Sequence, residues 1–338
     1  MKTLHKAIFL AALSLLSIKG FGQTATDAKT LVNQGVALND AGKYAEAIEK
    51  YNQAIKLDPK YETGYYEMAY TLFTTNKGAD ALPFLNKLIT LNPQSAAAYD
   101  MLGSIYDDMK QSDKAIEYYL KGIQSDSTYQ RLHYNLAITY YRTGKLPEAE
   151  VQAIKAIKLD PKHASSQRIY GMATYGLGKR GASLLAWCSF LMLEPKTARS
   201  VEAIKYVKNI VNYGITKVDS KNVNIQMSPD NPSNVMMPIA TIAATENKTN
   251  LSAIDSLQLQ LTSLFQIAHT ITMDKTQPFL VNYYSEYFDK LAHTGNMAAF
   301  TRYITLSANN DENVAWFKEH DSELKAFQQW ANTTGRSF

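Results

Sequence analysis

The sequence predicts an all-α protein: an array of helix-turn-helix units followed by a non-repeating C-terminal helical bundle. Two observations carry the array. Pro59, Pro93, Pro161 and Pro195 fall on one 34-residue grid, with Ser127 at the missing point. Small residues keep the same step, at Gly35, Ala69, Gly103, Ala137 and Gly171, and again at Ala47, Ala81, Ala115, Ala149 and Ser183. A third observation carries the bundle: beyond residue 235, apolar residues recur every three or four positions, the period of a helix face.

Each unit justifies itself by packing. Helix axes approach closely only where side chains are small, so Gly or Ala marks a crossing point. Large residues fill the space on either side, in the columns Leu38, Leu72, Tyr106, Tyr140 and Tyr51, Leu85, Tyr119, Trp187. Thr174 and Ala153 are the exceptions in these two columns. The turns "DAGKY", "TNKGA" and "RTGKL" separate the two helices of a unit. Proline cannot continue the preceding helix and resets the period. The Asp or Asn before it, in "KLD" or "TLN", is expected to cap a helix. In this spacing and these columns the chain resembles the tetratricopeptide repeat family, over about residues 28–197, as five units starting at Ala28, Glu62, Ala96, Gln130 and Ala164. The resemblance implies a right-handed superhelical array that binds a protein or peptide in its concave groove. The unit from Ala164 departs from the pattern, with Gln167 and Thr174 where large apolar residues belong. That puts it in doubt as a binding unit more than as a helix pair.

A closing helix is expected next. Val201, Ile204, Val207 and Val211 form one stripe, yet Lys205 occupies the grid's small-residue point, which excludes a sixth regular pair. The array with its closing helix thus spans 23–213. Residues 214–234 read as a loop or linker, with a short extended piece at Val223, Ile225 and Met227 and the turn-rich "SPDNPSN". Residues 235–338 read as the C-terminal helical domain. Its stripes are Ile254, Leu257, Leu261, Leu264, Ala268, then Leu280, Tyr284, Tyr287, Leu291, with helices in "GNMAAFTRYI" and "SELKAFQQWA".

The start of the chain has a different character. Lys2 and Lys6 precede the apolar run Ala7 to Ile18, and Gly20 and Gly22 set up a cut before Gln23. Residues 1–22 read as a secretory signal peptide, since twelve apolar residues are too few to cross a bilayer; an uncleaved anchor is the other reading. The mature product is then expected to be exported, periplasmic or secreted, within the cell envelope and not membrane-spanning. Removing Lys2, Lys6 and Lys19 takes the formal charge from +4 to +1, which argues against nucleic acid as a partner. Cys188, the one cysteine, can form no intrachain disulfide and reads as a buried hydrophobe.

Chemistry is sought and not found. "GLGKRGAS" lacks phosphate-loop spacing and reads as a repeat turn. His133, His163, His269, His293 and His320 show no metal-ligand spacing, and His133 reads as a packed side chain. "DENVAWFKEHDSE" gathers acids that read as a solvated, helix-capping stretch, with paired carboxylates for hydrolysis as the alternative. No catalytic residue, metal or cofactor is expected.

Binding is better supported. In such repeats the first helix of each unit lines the groove, which implies an aromatic section of Tyr66, Tyr70 and Phe73 after Val32 and Val36. An acidic section of Asp100, Asp107 and Asp108 follows, then Arg131, Tyr134, Asn135, Tyr141, Arg142, Arg168 and Tyr175. Tyr gives contact area at low entropic cost and Arg grips carboxylates through two hydrogen bonds. The alternative is that these tyrosines only pack between units. Val32 and Val36 stand where some family members need Lys and Asn to clamp a chaperone's terminal carboxylate, so that activity does not carry over. The expected function is an exported, non-catalytic scaffold for a protein or peptide partner. The alternatives are an enzyme or enzyme accessory acting through the C-terminal bundle, and a structural subunit of an envelope complex. The oligomeric state is open.

Overall fold

Each point of the grid supplies two helices. They are α1 (Ala28–Asp40) and α2 (Tyr44–Leu57), α3 (Glu62–Thr74) and α4 (Gly78–Leu91), α5 (Ala96–Asp108) and α6 (Ser112–Ser125), α7 (Gln130–Arg142) and α8 (Leu146–Leu159), and α9 (Ala164–Gly176) and α10 (Arg180–Leu193). The structure, a computed structural model, describes residues 27–218, 223–226, 232–246, 248–272 and 277–338. The expected signal peptide, Met227 and the first residues of "SPDNPSN" lie outside the described residues. The chain divides into two compact units, one ending at Ile105 and one starting at Tyr106.

The small-residue columns are buried throughout. Ala47, Ala69, Ala81, Ala115, Ala137, Ala149 and Ser183 expose no surface. At Gly35 a Cβ would sit 2.4 Å from Tyr51 Cε1, and at Gly171 one would sit 3.1 Å from Trp187 Cε2. Glycine is therefore required by the ring it faces, and ring and glycine occupy matched grid positions. Ser183 does more than save space: its hydroxyl donates to the Gly171 carbonyl across the crossing at 2.8 Å.

The turn inside each pair repeats one backbone solution. Gly42, Asn76, Lys110, Gly144 and Gly178 all have positive φ, between 59° and 76°, and stand 34 residues apart. The next amide bonds back five residues, from Lys43 to Leu38, Lys77 to Leu72, Gln111 to Tyr106, Lys145 to Tyr140 and Lys179 to Thr174, at 2.8–2.9 Å. This left-handed close satisfies carbonyls that the helix end leaves open. Lysine suits the left-handed region poorly, because its Cβ crowds the carbonyl. Lys110→Gly is expected to raise the unfolding free energy by about 0.5–1 kcal/mol, the steric relief outweighing glycine's extra chain entropy. Urea melts of the two proteins measure it.

The residues before the grid prolines act differently from the capping expected of them. The Asp58, Asn92, Asp126 and Asp160 side chains accept the amide two residues on, at 2.8–3.0 Å, so they build Asx turns between units. The helices that follow start at Tyr61, Tyr129 and His163 without a side-chain cap. Links of about one repeat stitch neighbouring units. In the first compact unit Thr71 donates to Asn39 of the preceding repeat, and Asn92 closes its own repeat by donating to Glu62, both at 2.8 Å. In the second, Gln130 bonds Ser166 and Arg199 bonds Ser165.

Within the second compact unit the closing helix α11 (Ala198–Val211) starts at a Thr197/Ser200 capping box. The stretch read as a linker holds an antiparallel pair, β1 (Ile215–Lys217) with β2 (Val223–Ile225), Ile215 facing Ile225. The next helix, α12 (Pro232–Thr245), begins inside it. Then come α13 (Ala253–Thr272), a π-helix (Leu280–Ser285), α14 (Glu286–Ala292), α15 (Met297–Ile304), α16 (Asn310–Glu319) and α17 (Asp321–Thr333). The Ile254 to Ala268 stripe of α13 is buried, and Phe265, Phe288 and Phe300 meet with ring centres 4.7–6.1 Å apart. The core runs without a break from Ala137 of α7 to Phe327 of α17, through α10, whose residues Gly181 to Leu191 are all buried.

Candidate functional site

In the first compact unit, α3 carries Tyr66, Tyr70 and Phe73. Tyr66 and Tyr70 are one helical turn apart and stack in parallel, ring centres 6.5 Å apart. Tyr70 is 40% exposed, while Tyr66 and Phe73 are half-buried. Between them sits Glu67, whose carboxyl is pushed up first by burial and then by the charge of Asp40. Two groove readings need correction. Val32 is buried, with a methyl 3.8 Å from where a Gly64 Cβ would lie, and so packs between helices. Asp100 is buried as well. Burial on α1 and α5 thus takes a larger arc of the helix than the repeat pattern suggests.

In the second compact unit the predicted residues range from exposed to half-buried. Arg131 is exposed, its guanidinium 6.0 Å from the Tyr129 ring centre. Asn135 is half-buried, its carbonyl taken by Thr139. Tyr134 packs edge-on to His163 at 4.8 Å. Burial lowers the pKa of His163, whose Nδ1 lies within hydrogen-bond reach of Gln130 and Ser166. Tyr175 meets Tyr206 edge-on at 5.0 Å, and Tyr141 packs against the same core. Burial raises the Tyr206 hydroxyl first, and Tyr141, Glu202 and Tyr175 push it the same way. The structure thus gathers Tyr141, Arg168 and Tyr175 around Tyr206 and Glu202 of α11, which sequence reasoning missed. Their signal was the polar face of α11, opposite the Val201 stripe.

Two of the three candidate arginines already hold carboxylates. Arg142 pairs with Asp107, and Arg168 Nη2 bonds Glu202 at 2.8 Å. Each pair links positions 35 or 34 residues apart, so the charges stitch adjacent units. Both pairs are partly exposed and screened, worth about 0–1 kcal/mol each, and a ligand carboxylate can compete for them.

The remaining sequence candidates have structural partners. His133 Nε2 donates to the Ser127 carbonyl at 3.0 Å and Nδ1 meets the Gln152 carboxamide at 2.7 Å. His320 stacks on Trp316 at 4.1 Å, and burial pushes the Cys188 thiol far up. "GLGKRGAS" holds the left-handed turn residue Gly178. The acidic stretch is divided between α16, with Asp311 and Glu312 exposed in its first turn, and α17, with Asp321 and Glu323 in its first turn. Among the described residues no three His, Cys, Asp or Glu side chains converge as a metal would need.

Gln167, the misfit of the fifth unit, is fully buried and serves two distant tyrosines. Its Nε2 donates to the Tyr283 hydroxyl at 2.9 Å, and its Oε1 accepts from Tyr284. Tyr284 also stacks on Tyr170 at 5.5 Å. The fifth unit departs from the repeat pattern because it is built to receive the π-helix.

Fold and surface together define a helical-repeat protein with open aromatic and basic faces on its first helices. A TPR repeat model matches residues 35–76, and tetratricopeptide repeat models match residues 96–129 and 134–159. Residues 35–159 therefore carry tetratricopeptide repeats. The chain is 28% identical over 134 residues to protein O-mannosyl-transferase Tmtc3 of Drosophila melanogaster, covering 39% of this chain and 14% of that protein. It is 32% identical over 90 residues to Hsp70-Hsp90 organizing protein 2 of Arabidopsis thaliana, covering 27% and 16%. The chain spans less than a third of the length of the curated relatives it matches. Among solved structures it is similar to YrrB, described as a TPR protein with an unusual peptide-binding site, at 19% identity and a TM-score of 0.45, covering 58% of this chain and 97% of that one. No helix among the described residues is long and apolar enough to cross a membrane.

Proposed function

We propose that this chain is an exported, non-catalytic scaffold whose repeats hold a protein or peptide partner in the cell envelope. The observation that carries the reading is the Tyr66/Tyr70 ladder. It is stacked and lies outside the buried core, with Tyr70 exposed and Tyr66 half-buried, which is how a contact surface differs from a packing surface. The repeats matched over residues 35–159 support it, as does the likeness to a protein named for organizing two chaperones. The basic start and short apolar run of residues 1–18 support export. A cavity of about 660 Å³ has one carboxylate in its wall, Asp321, which suits binding better than acid–base hydrolysis.

The test is capture from the protein's own envelope fraction with the tagged full chain as bait. Wild type is expected to retain a discrete partner, and the bait's intact mass to begin at Gln23. Tyr66→Ala with Tyr70→Ala should weaken retention by roughly thirtyfold, the effect of losing about 2 kcal/mol of aromatic anchor. If the partner is acidic, Arg142→Ala with Arg168→Ala should weaken it and Asp107→Asn should tighten it, by freeing Arg142. Equal retention by wild type and the tyrosine variant would remove the ladder from the function.

A further inference from the structure

Beyond α17 the chain turns back over the π-helix, and the fold leaves a cavity of about 340 Å³ there, within the range of small-ligand sites. Its wall joins apolar and aromatic surface, from Met192, Tyr283, Tyr287 and Phe338, to one guanidinium, that of Arg336. The guanidinium carbon stands 3.9 Å from the Tyr287 ring centre and 5.0 Å from that of Tyr283. Nη1 donates to the Ser189 hydroxyl at 2.7 Å, Nη2 reaches the Met192 sulfur at 3.9 Å, and the guanidinium also hydrogen-bonds the Tyr283 and Tyr287 hydroxyls.

Charge balance is the unusual part. Among the described residues no carboxylate forms an ion pair with Arg336. Lys162 adds a second positive charge to the wall. Asp160 influences Tyr283 from this side, and its carboxylate accepts the Lys162 backbone amide. Aromatic faces offset a desolvated cation only in part, and a half-buried guanidinium retains strong demand for an anion. Burial pushes the Tyr283 and Tyr287 hydroxyls up, so both stay protonated, and Tyr283 donates its proton to the Pro161 carbonyl at 3.4 Å. The π-helix sets this wall: it buries both Tyr283 and Tyr284, turning one to the cavity and the other to Tyr170. Such helices are rare and concentrate at functional sites.

We propose that this cavity binds a small organic carboxylate with an apolar or aromatic body, the anionic head on Arg336 and the body against Tyr287, Met192 and Phe338. The site lies outside the repeat surface and stands or falls independently of the partner-binding reading.

The test is a ligand-observed NMR titration of the full chain with phenylacetate and hexanoate. Phenethylamine and inorganic phosphate serve as counter-probes. Saturable binding of the two carboxylates is expected, with phenethylamine silent and phosphate at least tenfold weaker. Arg336→Gln should weaken carboxylate binding tenfold or more, the loss of a charged hydrogen bond. Asn332→Phe, which fills the cavity mouth from an exposed position and leaves Arg336 in place, should weaken it as much. It decides the matter if Arg336→Gln fails to fold. The proposal is overturned if folded wild type shows no saturable carboxylate binding, or if Asn332→Phe leaves that binding unchanged. Equal binding of phenethylamine or of phosphate overturns it too.

Discussion

Replacing Trp187 with Ala is expected to destabilise the protein by about 3–5 kcal/mol, the range for removing a fully buried aromatic and leaving a cavity. Trp187 exposes no surface. Its indole stacks on Tyr206 of the closing helix at 4.5 Å and meets Phe190 edge-on at 6.0 Å. Gly171 approaches its other side so closely that the surroundings cannot collapse inward without moving backbone. Among the described residues the indole nitrogen has no hydrogen-bond partner, so its burial already costs something. Trp187→Phe should therefore lose less than half as much as Trp187→Ala, keeping the ring and removing the orphan donor. Urea unfolding followed by far-UV circular dichroism gives both numbers. An alanine variant within about 1 kcal/mol of wild type would mean that the fifth unit does not depend on this crossing.

The second large effect is at Gln167, where the repeat pattern itself recommends the wrong residue. Gln167→Leu restores the large apolar side chain expected at that grid point, yet it should destabilise by about 2–3 kcal/mol. The loss comes from Tyr284, whose buried hydroxyl donates to Gln167, and from Tyr283, which keeps the Pro161 carbonyl at 3.4 Å and the Arg336 guanidinium. An unsatisfied buried hydroxyl costs more than a hydrogen bond is worth, so removing both partners should nearly restore stability. The double variant Gln167→Leu with Tyr284→Phe is expected to return to within about 1 kcal/mol of wild type. The coupling energy of that cycle measures the bond directly. A fully additive double variant would show that the two side chains do not act as a pair.

What the sequence made legible was whatever repeats. Five occurrences of one column average out local exceptions, so the crossing points and helix pairs could be placed to within a residue or two. The left-handed turn column was half visible: Gly42, Gly144 and Gly178 announce it, while Asn76 and Lys110 hide it. Groove-facing positions were less legible, because Val32 and Asp100 look the same in sequence whether they face a groove or a neighbouring helix. The arginines were correctly placed on first helices, but their carboxylates, Asp107 and Glu202, come from adjacent units. The π-helix left no trace in the Leu280 to Leu291 stripe, since an apolar period does not record one inserted residue per turn.

The bond between Gln167 and Tyr284 also orders events in time. The side-chain links among the early repeats span about one repeat, whereas Gln167 waits for a residue 117 positions later and Ser189 for one 147 later. On a chain emerging from its N-terminus, the first repeats can consolidate while the fifth still shows bare apolar surface, its loops being the last and costliest to close. The nearly all-apolar α10 is then the segment most in need of a holding chaperone until the final helices arrive.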